Sequence, residues 1–209
     1  MKFIQRLIKS VFWLLLITVC VACGSKGPSK PKQETPVAKP QPNIEIKKSI
    51  DDKGKREYHF ALQKIKESKL DEAEDSLQKL MELYPDVLGI YINLGIVQIK
   101  KSQWPQAENY FSQALKIAPN NAKVMNYLGI VFRQQGRFKE AETAYQSAIN
   151  LDESYSQAYL NLGILYDLYL ADFQAARQHY EKFSLFSPED QKIKDWLADL
   201  DQRQKAAQK

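Results

Sequence analysis

The stretch of sequence that decides the fold is residues 88–121, LGIYINLGIVQIKKSQWPQAENYFSQALKIAPNN, which residues 122–155, AKVMNYLGIVFRQQGRFKEAETAYQSAINLDESY, follow directly. Both stretches are 34 residues long, and they share a Leu-Gly pair, a later Ala and an aromatic residue at equal spacings. Self-similarity at a fixed period of roughly 20–50 residues is typical of repeat architectures. The sequence therefore predicts a stack of similar structural units.

The same period extends over most of the chain. One column of equivalent positions holds only small residues: Ala61, Gly95, Gly129 and Gly163. Within each unit, apolar residues recur at i, i+3, i+4 and i+7, which indicates amphipathic helices. Small residues are expected where two antiparallel helices come closest, because only Gly or Ala lets the backbones approach. Prolines that cannot continue a helix end three of the units: Pro85, Pro119 and Pro188.

The second unit resembles the pattern of the tetratricopeptide repeat family, W-x2-L-G-x2-Y followed by Ala, an aromatic residue and Pro. Its matching residues are Tyr91, Leu94, Gly95, Ala107, Phe111, Ala114 and Pro119. The resemblance implies an all-α fold for residues 49–209. It would be a right-handed α-α superhelix of about four helix pairs, over residues 54–87, 88–121, 122–155 and 156–190, closed by a capping helix over about 189–207. The first unit departs from the pattern with Ala61 in place of Gly, and the fourth needs one extra residue within 167–172.

Residues 1–22 have the pattern of a secretory signal. Lys2, Arg6 and Lys9 precede an apolar run of twelve residues, 11–22, which is shorter than the roughly 20 residues that span a bilayer. The sequence Cys20-Val21-Ala22-Cys23 resembles the lipobox of bacterial lipoproteins, although that family usually has an aliphatic residue in place of Cys20. The resemblance implies cleavage before Cys23 and its modification by lipid, palmitate included. The alternative is a plain signal peptide or an uncleaved anchor.

The residue after Cys23 bears on localisation. An Asp there favours retention in the inner membrane of Gram-negative relatives, and this chain has Gly24. The resemblance therefore implies a bacterial cell-envelope protein anchored in the inner leaflet of the outer membrane and facing the periplasm. Residues 24–48, rich in Pro and Lys, are predicted to form a disordered stalk that could reach about 70 Å when extended.

The formal net charge of +5 comes from the N-terminal part of the chain. Residues 1–22 contribute +3 and residues 23–48 contribute +4, whereas residues 49–209 carry −2. A nucleic-acid-binding domain would concentrate basic residues on the folded part. The charge distribution therefore argues against nucleic acid as a partner.

The sequence offers no credible catalytic set. The chain has two histidines, His59 and His179, at opposite ends of the repeat array, and no nucleotide-binding or zinc-protease motif. The acidic run at residues 71–75 starts a helix, where carboxylates favour the positive end of the helix dipole, and this is a better account than a metal site. We expect a protein that is not an enzyme and that needs no metal, cofactor or small-molecule substrate.

In the tetratricopeptide repeat family, the first helix of each pair lines a concave face that receives a peptide or helix. Carried over by register, the resemblance implies a groove lined by Tyr58, Leu62, Ile92, Asn93, Ile96, Lys100, Asn126, Ile130, Arg133, Leu160, Asn161 and Ile164. Asn93 and Asn161 stand where the family often hydrogen-bonds the backbone of a ligand. Lys66 and Lys123 would flank the groove.

Four of these residues form one apolar column, the ladder Leu62, Ile96, Ile130 and Ile164. If the ladder is exposed, it favours an amphipathic helix or an apolar strand as the ligand. If the array is tightly wound, the ladder is core. The predicted function is a membrane-anchored adaptor that binds a protein or peptide in this groove. The alternatives are a pilotin-like factor for type IV pilus secretin assembly and an accessory factor of a peptidoglycan or outer-membrane assembly enzyme.

Overall fold

The computed structural model describes residues 50–207. The predicted signal peptide, the lipidation site Cys23 and the stalk lie outside the described residues. Within residues 50–207 the chain is helical with short turns and contains no strand. The predicted all-α fold is confirmed.

Nine α-helices follow one another along the described part of the chain, with a π-helical segment, Tyr166–Leu170, directly after the seventh. Their bounds are α1 Asp52–Lys66, α2 Leu70–Leu83, α3 Leu88–Lys100, α4 Trp104–Ile117, α5 Ala122–Gln134, α6 Phe138–Leu151, α7 Ser156–Leu165, α8 Phe173–Ser184 and α9 Gln191–Ala207. The first eight α-helices form four pairs, α1–α2, α3–α4, α5–α6 and α7–α8. We refer to the odd-numbered member as the first helix of a pair and to the even-numbered one as the second.

Local sequence sets several helix ends. The side chain of Asp51 caps α1 by accepting a hydrogen bond from the backbone N–H of Gly54 at 2.8 Å. Asn121 caps α5 in the same way, with Val124 as the donor at 3.0 Å, and Asp172 caps α8 with Ala175 as the donor at 3.0 Å. Such caps satisfy backbone donors that have no partner inside the helix. Pro105 lies in the first turn of α4, where its missing N–H costs little.

The turn inside each pair contains one residue in the left-handed backbone region. These residues are Ser68, Ser102, Gly136 and Ala171, with φ of 60°, 58°, 76° and 53°. The first three are 34 residues apart, and the last step is 35 residues. The fourth pair thus contains the extra residue that the sequence predicted, and the π-helical segment Tyr166–Leu170 absorbs it.

The helices within a pair approach most closely where a glycine of the first helix meets an aromatic ring of the second. A Cβ added to Gly129 would lie 2.4 Å from Cε1 of Tyr145, and one added to Gly95 would lie 2.5 Å from Cζ of Phe111. Gly163 is equally close to Tyr180, at 2.6 Å. Each glycine therefore makes the room that its ring fills. In the first pair, the smaller side chain of Leu77 accompanies Ala61 at these positions, and both are fully buried.

The interior is a series of apolar clusters, each of which joins one pair to the next element. Both helices of a pair and the first helix of the following pair contribute side chains to a cluster. After the fourth pair, α9 takes the place of a further first helix, with Ile193 and Leu200 buried against α8. The four-pair solenoid with a C-terminal capping helix is thereby confirmed.

Contacts between helices also show which helices form the inner layer. Every described helix packs on its neighbours in sequence, and successive first helices touch each other as well, α1 with α3 and α5 with α7. The first helices therefore lie on the inner side of the array. None of the helices within residues 50–207 has the length and apolar character needed to cross a lipid bilayer.

Candidate partner-binding groove

The ladder predicted from the sequence lies at the boundary between core and surface. Leu62, Ile96, Ile130 and Ile164 are all half-buried. Ile96, Ile130 and Ile164 pack against three different core clusters with part of their surface and expose the rest. The sequence left open whether the ladder is groove or core. Each of its side chains is partly buried and partly exposed, so the exposed parts form a narrow apolar stripe on the inner layer.

Two of the residues predicted to line the groove lie beneath this surface. Ile92 is 8% exposed and Asn126 is 3% exposed. Ile92 belongs to the cluster that joins the second pair to the third. Asn126 accepts a hydrogen bond at 2.9 Å from the side-chain amide of Asn161, and it also hydrogen-bonds the side chain of Tyr155. Neither residue offers appreciable surface to a partner, because neighbouring repeats pack over this position.

The two asparagines predicted to bind a ligand use their amide donors within the solenoid. Nδ2 of Asn93 donates to the hydroxyl of Tyr58 at 2.5 Å and to the carbonyl of Gly89 at 2.8 Å. Nδ2 of Asn161 donates to Asn126, as described above. Asn93 and Tyr58 are 35 residues apart, and so are Asn161 and Asn126. These two bonds therefore link the first helices of successive pairs. Burial raises the pKa of the Tyr58 hydroxyl, which therefore stays protonated.

The remaining predicted residues of the groove divide into apolar and basic ones. Leu160 is half-buried and packs with Ile164 against the C-terminal cluster. Lys66, Lys100 and Lys123 are exposed, and none of them forms an ion pair with any residue that the structure describes. The inner surface is thus apolar along the middle, with free positive charge beside it.

Several other cations are paired, two of them in the turns within pairs and one, Lys64, on α1. Lys101 pairs with Asp71 at 2.7 Å and with Glu74 at 2.8 Å, and Arg137 pairs with Glu108 at 2.7 Å. Lys64 pairs with Glu72 at 2.7 Å. Most of the acidic run at residues 71–75 is therefore engaged with lysines of neighbouring elements, which is a structural role.

Arg133 is half-buried at the C-terminal end of α5. Its Nε and Nη1 atoms are enclosed, and neither has a hydrogen-bond partner among the described residues. The guanidinium carbon lies 5.7 Å from the ring centre of Tyr169 in the π-helical segment. The hydroxyl of Tyr145, on a fully buried side chain, likewise has no partner in the described part of the chain. Its burial raises the pKa of Tyr145, and the nearby Arg133 opposes this effect.

Sequence reasoning did not find Tyr145 and Tyr169 as neighbours of Arg133. Tyr145 occupies the aromatic position of the family pattern, which predicts packing and says nothing about its hydroxyl. Tyr169 lies in the inserted turn, which has no equivalent in the other pairs. Its side chain is 41% exposed, and its ring lies 5.2 Å from that of Phe138.

A second polar cluster lies at the C-terminal end of the array. Asp167, in the π-helical segment, is 8% exposed. It accepts a hydrogen bond from the hydroxyl of Tyr180 at 3.2 Å and one from Arg203 of α9 at 2.7 Å. These residues line a cavity of about 330 Å³ together with Leu168, Trp196 and Asp199. The cluster ties α9 to the last pair, so it belongs to the closure of the solenoid.

The two histidines lie on different elements, His59 on α1 and His179 on α8. His179 stacks on Tyr166 with ring centres 5.5 Å apart, and burial lowers its pKa, so it is neutral at pH 7. Among residues 50–207, the side chains of His, Cys, Asp and Glu form no group that could hold a metal ion.

Helix pairs of 34 or 35 residues, three of them closed by a glycine–aromatic contact and all stacked in sequence, define a helical-repeat solenoid of the kind that serves protein–protein interaction. The chain contains tetratricopeptide repeats. Models of the tetratricopeptide repeat match residues 86–154 and 128–183. They cover the second and third pairs and most of the fourth.

Solved structures share this fold at low sequence identity. PilF of Pseudomonas aeruginosa is 22% identical, with a TM-score of 0.68 over 76% of this chain and 72% of PilF. MamA of Desulfovibrio magneticus RS-1 is 19% identical, with a TM-score of 0.64 over 75% of this chain and 88% of MamA. The first repeat domain of Spaghetti (RPAP3), bound to the HSP90 peptide SRMEEVD, is 19% identical, with a TM-score of 0.52 over 56% of this chain and 91% of that domain. No curated protein matches the chain in sequence.

Proposed function

We propose that this protein is an adaptor that binds an apolar segment of a partner protein along the ladder. The observation that carries the proposal is the half-burial of Ile96, Ile130 and Ile164 in one row on the inner layer. An apolar row of this kind suits an amphipathic helix or an extended strand, whose own apolar face it would cover. The exposed lysines beside the row favour a partner that is neutral or acidic there. The RPAP3 domain, which has the same fold, was solved with a bound peptide.

The anchor is the second part of the proposal. After cleavage of the signal peptide before Cys23, the lipid on Cys23 would hold the domain at the bacterial envelope, on the inner leaflet of the outer membrane. The lipobox-like sequence at residues 20–23 and the residue Gly24 support this location.

A pilotin-like role in type IV pilus secretin assembly is the second candidate function, and the similarity in fold to PilF favours it. Deleting the gene in its host and scoring secretin multimers on gels tests this role. Loss of multimers that the wild-type gene restores supports it. Unchanged multimers rule it out and leave an accessory role in envelope assembly.

Binding along the ladder is tested with a photo-crosslinking amino acid at the exposed position Lys100 in the intact chain, followed by mass spectrometry of the crosslinked partner. Ile130→Glu in the same chain should remove the crosslink, because a carboxylate would face the apolar surface of the ligand. Unfolding free energy should fall by only about 1–2 kcal/mol, because Ile130 is half-buried. Thr143→Glu, on the exposed side of α6, is the matched control and should leave the crosslink intact.

Two results contradict groove binding. An unchanged crosslink in Ile130→Glu means that the ladder does not contact the partner. A collapse of thermal stability in this variant means that Ile130 acts as a core residue.

Lipid attachment is tested by labelling growing cells with an alkyne analogue of palmitate. Wild-type protein should incorporate the label and fractionate with membranes, whereas Cys23→Ala should do neither, because the thiol that carries the lipid is gone. Cys20→Ala is the control and should keep the label. Membrane association of Cys23→Ala equal to that of the wild type would show that the anchor lies elsewhere.

A further inference from the structure

The third and fourth pairs differ in polar chemistry at one position of the repeat, next to a tyrosine that both pairs have. Arg133, near the end of α5, and Asp167, in the π-helical segment that continues α7, are 34 residues apart and so share one position of the repeat. Tyr145 and Tyr180 are the equivalent aromatic residues, each of which packs its ring on the glycine of its own pair. In the fourth pair, the carboxylate of Asp167 accepts from the hydroxyl of Tyr180 and from the guanidinium of Arg203. A tyrosine hydroxyl and an arginine thus share one carboxylate.

The third pair has the tyrosine and the arginine without the carboxylate. Nε and Nη1 of Arg133 and the hydroxyl of Tyr145 are enclosed and have no hydrogen-bond partner in the described part of the chain. A guanidinium only donates hydrogen bonds, and the Tyr145 hydroxyl needs an acceptor for its proton, so each group lacks an acceptor. Buried polar groups are normally paired, and an unpaired one calls for an explanation such as an absent ligand.

We propose that Arg133 and Tyr145 receive one carboxylate of the partner segment that lies along the ladder, in the way that Arg203 and Tyr180 receive Asp167. The proposal rests on the groove function proposed above. It adds that the segment carries an acidic group, either a Glu or Asp side chain or a terminal carboxylate, next to the apolar residues that cover Ile130. Arginine binds carboxylates through paired, charge-assisted hydrogen bonds, which gives the site both affinity and orientation.

The surroundings of Arg133 fit this role. Ile130 lies one turn before it on α5, so the acidic group and the apolar contact would come from one short segment of the partner. The ring of Tyr169 lies 5.7 Å from the guanidinium carbon, within the range of a cation–π contact that holds the side chain in place. Arg137, only four residues further on, has two carboxylates of its own, Glu108 and Glu140, so the neighbouring arginine does not share the lack of a partner seen at Arg133.

The direct test follows the Nε–Hε signal of Arg133 by NMR in the intact chain, purified in detergent with labelled arginine. Sodium propionate should shift this signal in a saturable way, whereas the neutral propionamide should not. Tyr145→Phe, which removes only the hydroxyl, should weaken propionate binding at least threefold. Lys139→Gln, which removes an exposed charge of α6, should leave it unchanged. A signal that propionate does not shift in a saturable way, or shifts equally in Tyr145→Phe, overturns the proposal.

Stability of the free protein gives an independent readout. Arg133→Met replaces the aliphatic stem of the side chain by an unbranched apolar one and removes the unpaired charge, so it should leave the melting temperature unchanged or raise it. A fall in melting temperature would mean that Arg133 supports the fold and would overturn the proposal.

The crosslinking assay from Lys100 separates this proposal from the function on which it rests. If Arg133→Gln loses at least tenfold in crosslink yield and Lys139→Gln does not, the carboxylate site is used by the partner. If Arg133→Gln crosslinks normally while Ile130→Glu does not, groove binding stands and the carboxylate site is wrong. Peptides with an internal Glu, an internal Gln or an amidated C-terminus then show whether the carboxylate is internal or terminal.

Discussion

The third and fourth pairs have the same packing but differ in length and in polar chemistry. α5 and α6 are joined by a short turn at Gly136, whereas α7 continues into a π-helical segment before the turn at Ala171. Despite the extra residue, Gly163 meets Tyr180 as closely as Gly129 meets Tyr145. Gly163 precedes the inserted residue in sequence and Tyr180 follows it. The π-helical segment between them absorbs this residue, so that the glycine and the ring still meet.

The comparison also separates what every repeat needs from what one repeat does. The buried contact between glycine and ring recurs in three pairs. The polar residue that follows it is an unpaired cation in the third pair and a doubly bonded carboxylate in the fourth. The glycine–ring contact is a feature of the fold. The polar residue differs between the third pair, where it has no partner, and the fourth pair, where it ties α9 to the array.

The largest effect should come from filling the space at the glycine. Gly129→Val would place its Cβ 2.4 Å from the ring of Tyr145, which is fully buried and cannot move away, so unfolding free energy should fall by about 3 kcal/mol. Gly163→Val should cost about the same, because the contact is equivalent. Chemical denaturation monitored by circular dichroism measures both. A loss in only one of the two variants would mean that the pairs are not packed alike.

A smaller loss of unfolding free energy should follow from Asp167→Ala. This substitution tests a carboxylate that only the fourth pair has at this position of the repeat. The hydroxyl of Tyr180 would lose its acceptor and the partly exposed Arg203 would keep only Asp199, so unfolding free energy should fall by about 2 kcal/mol. Hydrogen exchange should show α9 opening first. Asp199→Ala is the matched control, since Asp199 also pairs with Arg203 but is 62% exposed, and it should cost less than about 0.5 kcal/mol. Equal losses in the two variants would contradict a special role for Asp167.

The repeat, the helix pairs, the capping helix and the single inserted residue could all be predicted from the sequence, because packing repeats with a fixed period. The columns of glycines and aromatics encode which faces meet. Burial at individual groove positions could not be predicted in this way. Ile92 and Asn126 lie below the surface because the next repeat packs over them, and this depends on the angle between pairs. The pairing of Asn93 with Tyr58 depends on the same angle.

The polar contrast between the two pairs could not be predicted for another reason. Arg133 and Asp167 share a column, but Arg203, which pairs with Asp167, and Tyr169, whose ring contacts Arg133, come from elements that do not repeat, namely α9 and the π-helical segment. The sequence predicted Arg133 in the groove, whereas the lack of a partner at its Nε and Nη1 is seen only in the structure. The groove itself stays a prediction until a partner is found.

The smallest effect concerns the two turns and should have opposite signs. Gly136→Ala puts a side chain at φ of 76°, where an added Cβ would meet no atom within 4 Å. The variant should therefore suffer only backbone strain, which should lower the free energy of unfolding by about 1 kcal/mol. Ala171→Gly relieves the same strain at φ of 53° and should gain about as much. Thermal melts of both variants and of the double variant measure this. Equal signs in the two single variants would show that the inserted turn obeys other constraints.

The chain of contacts from one pair to the next gives the protein a mechanical character. If the domain is stretched between residues 50 and 207, the interfaces carry the load in series, and none is shielded by another. The first pair, where Ala61 and Leu77 stand in place of a glycine and a ring, has the smallest side chain at this contact. The array should extend from that end, in steps that each release roughly 110 Å of chain for 34 residues.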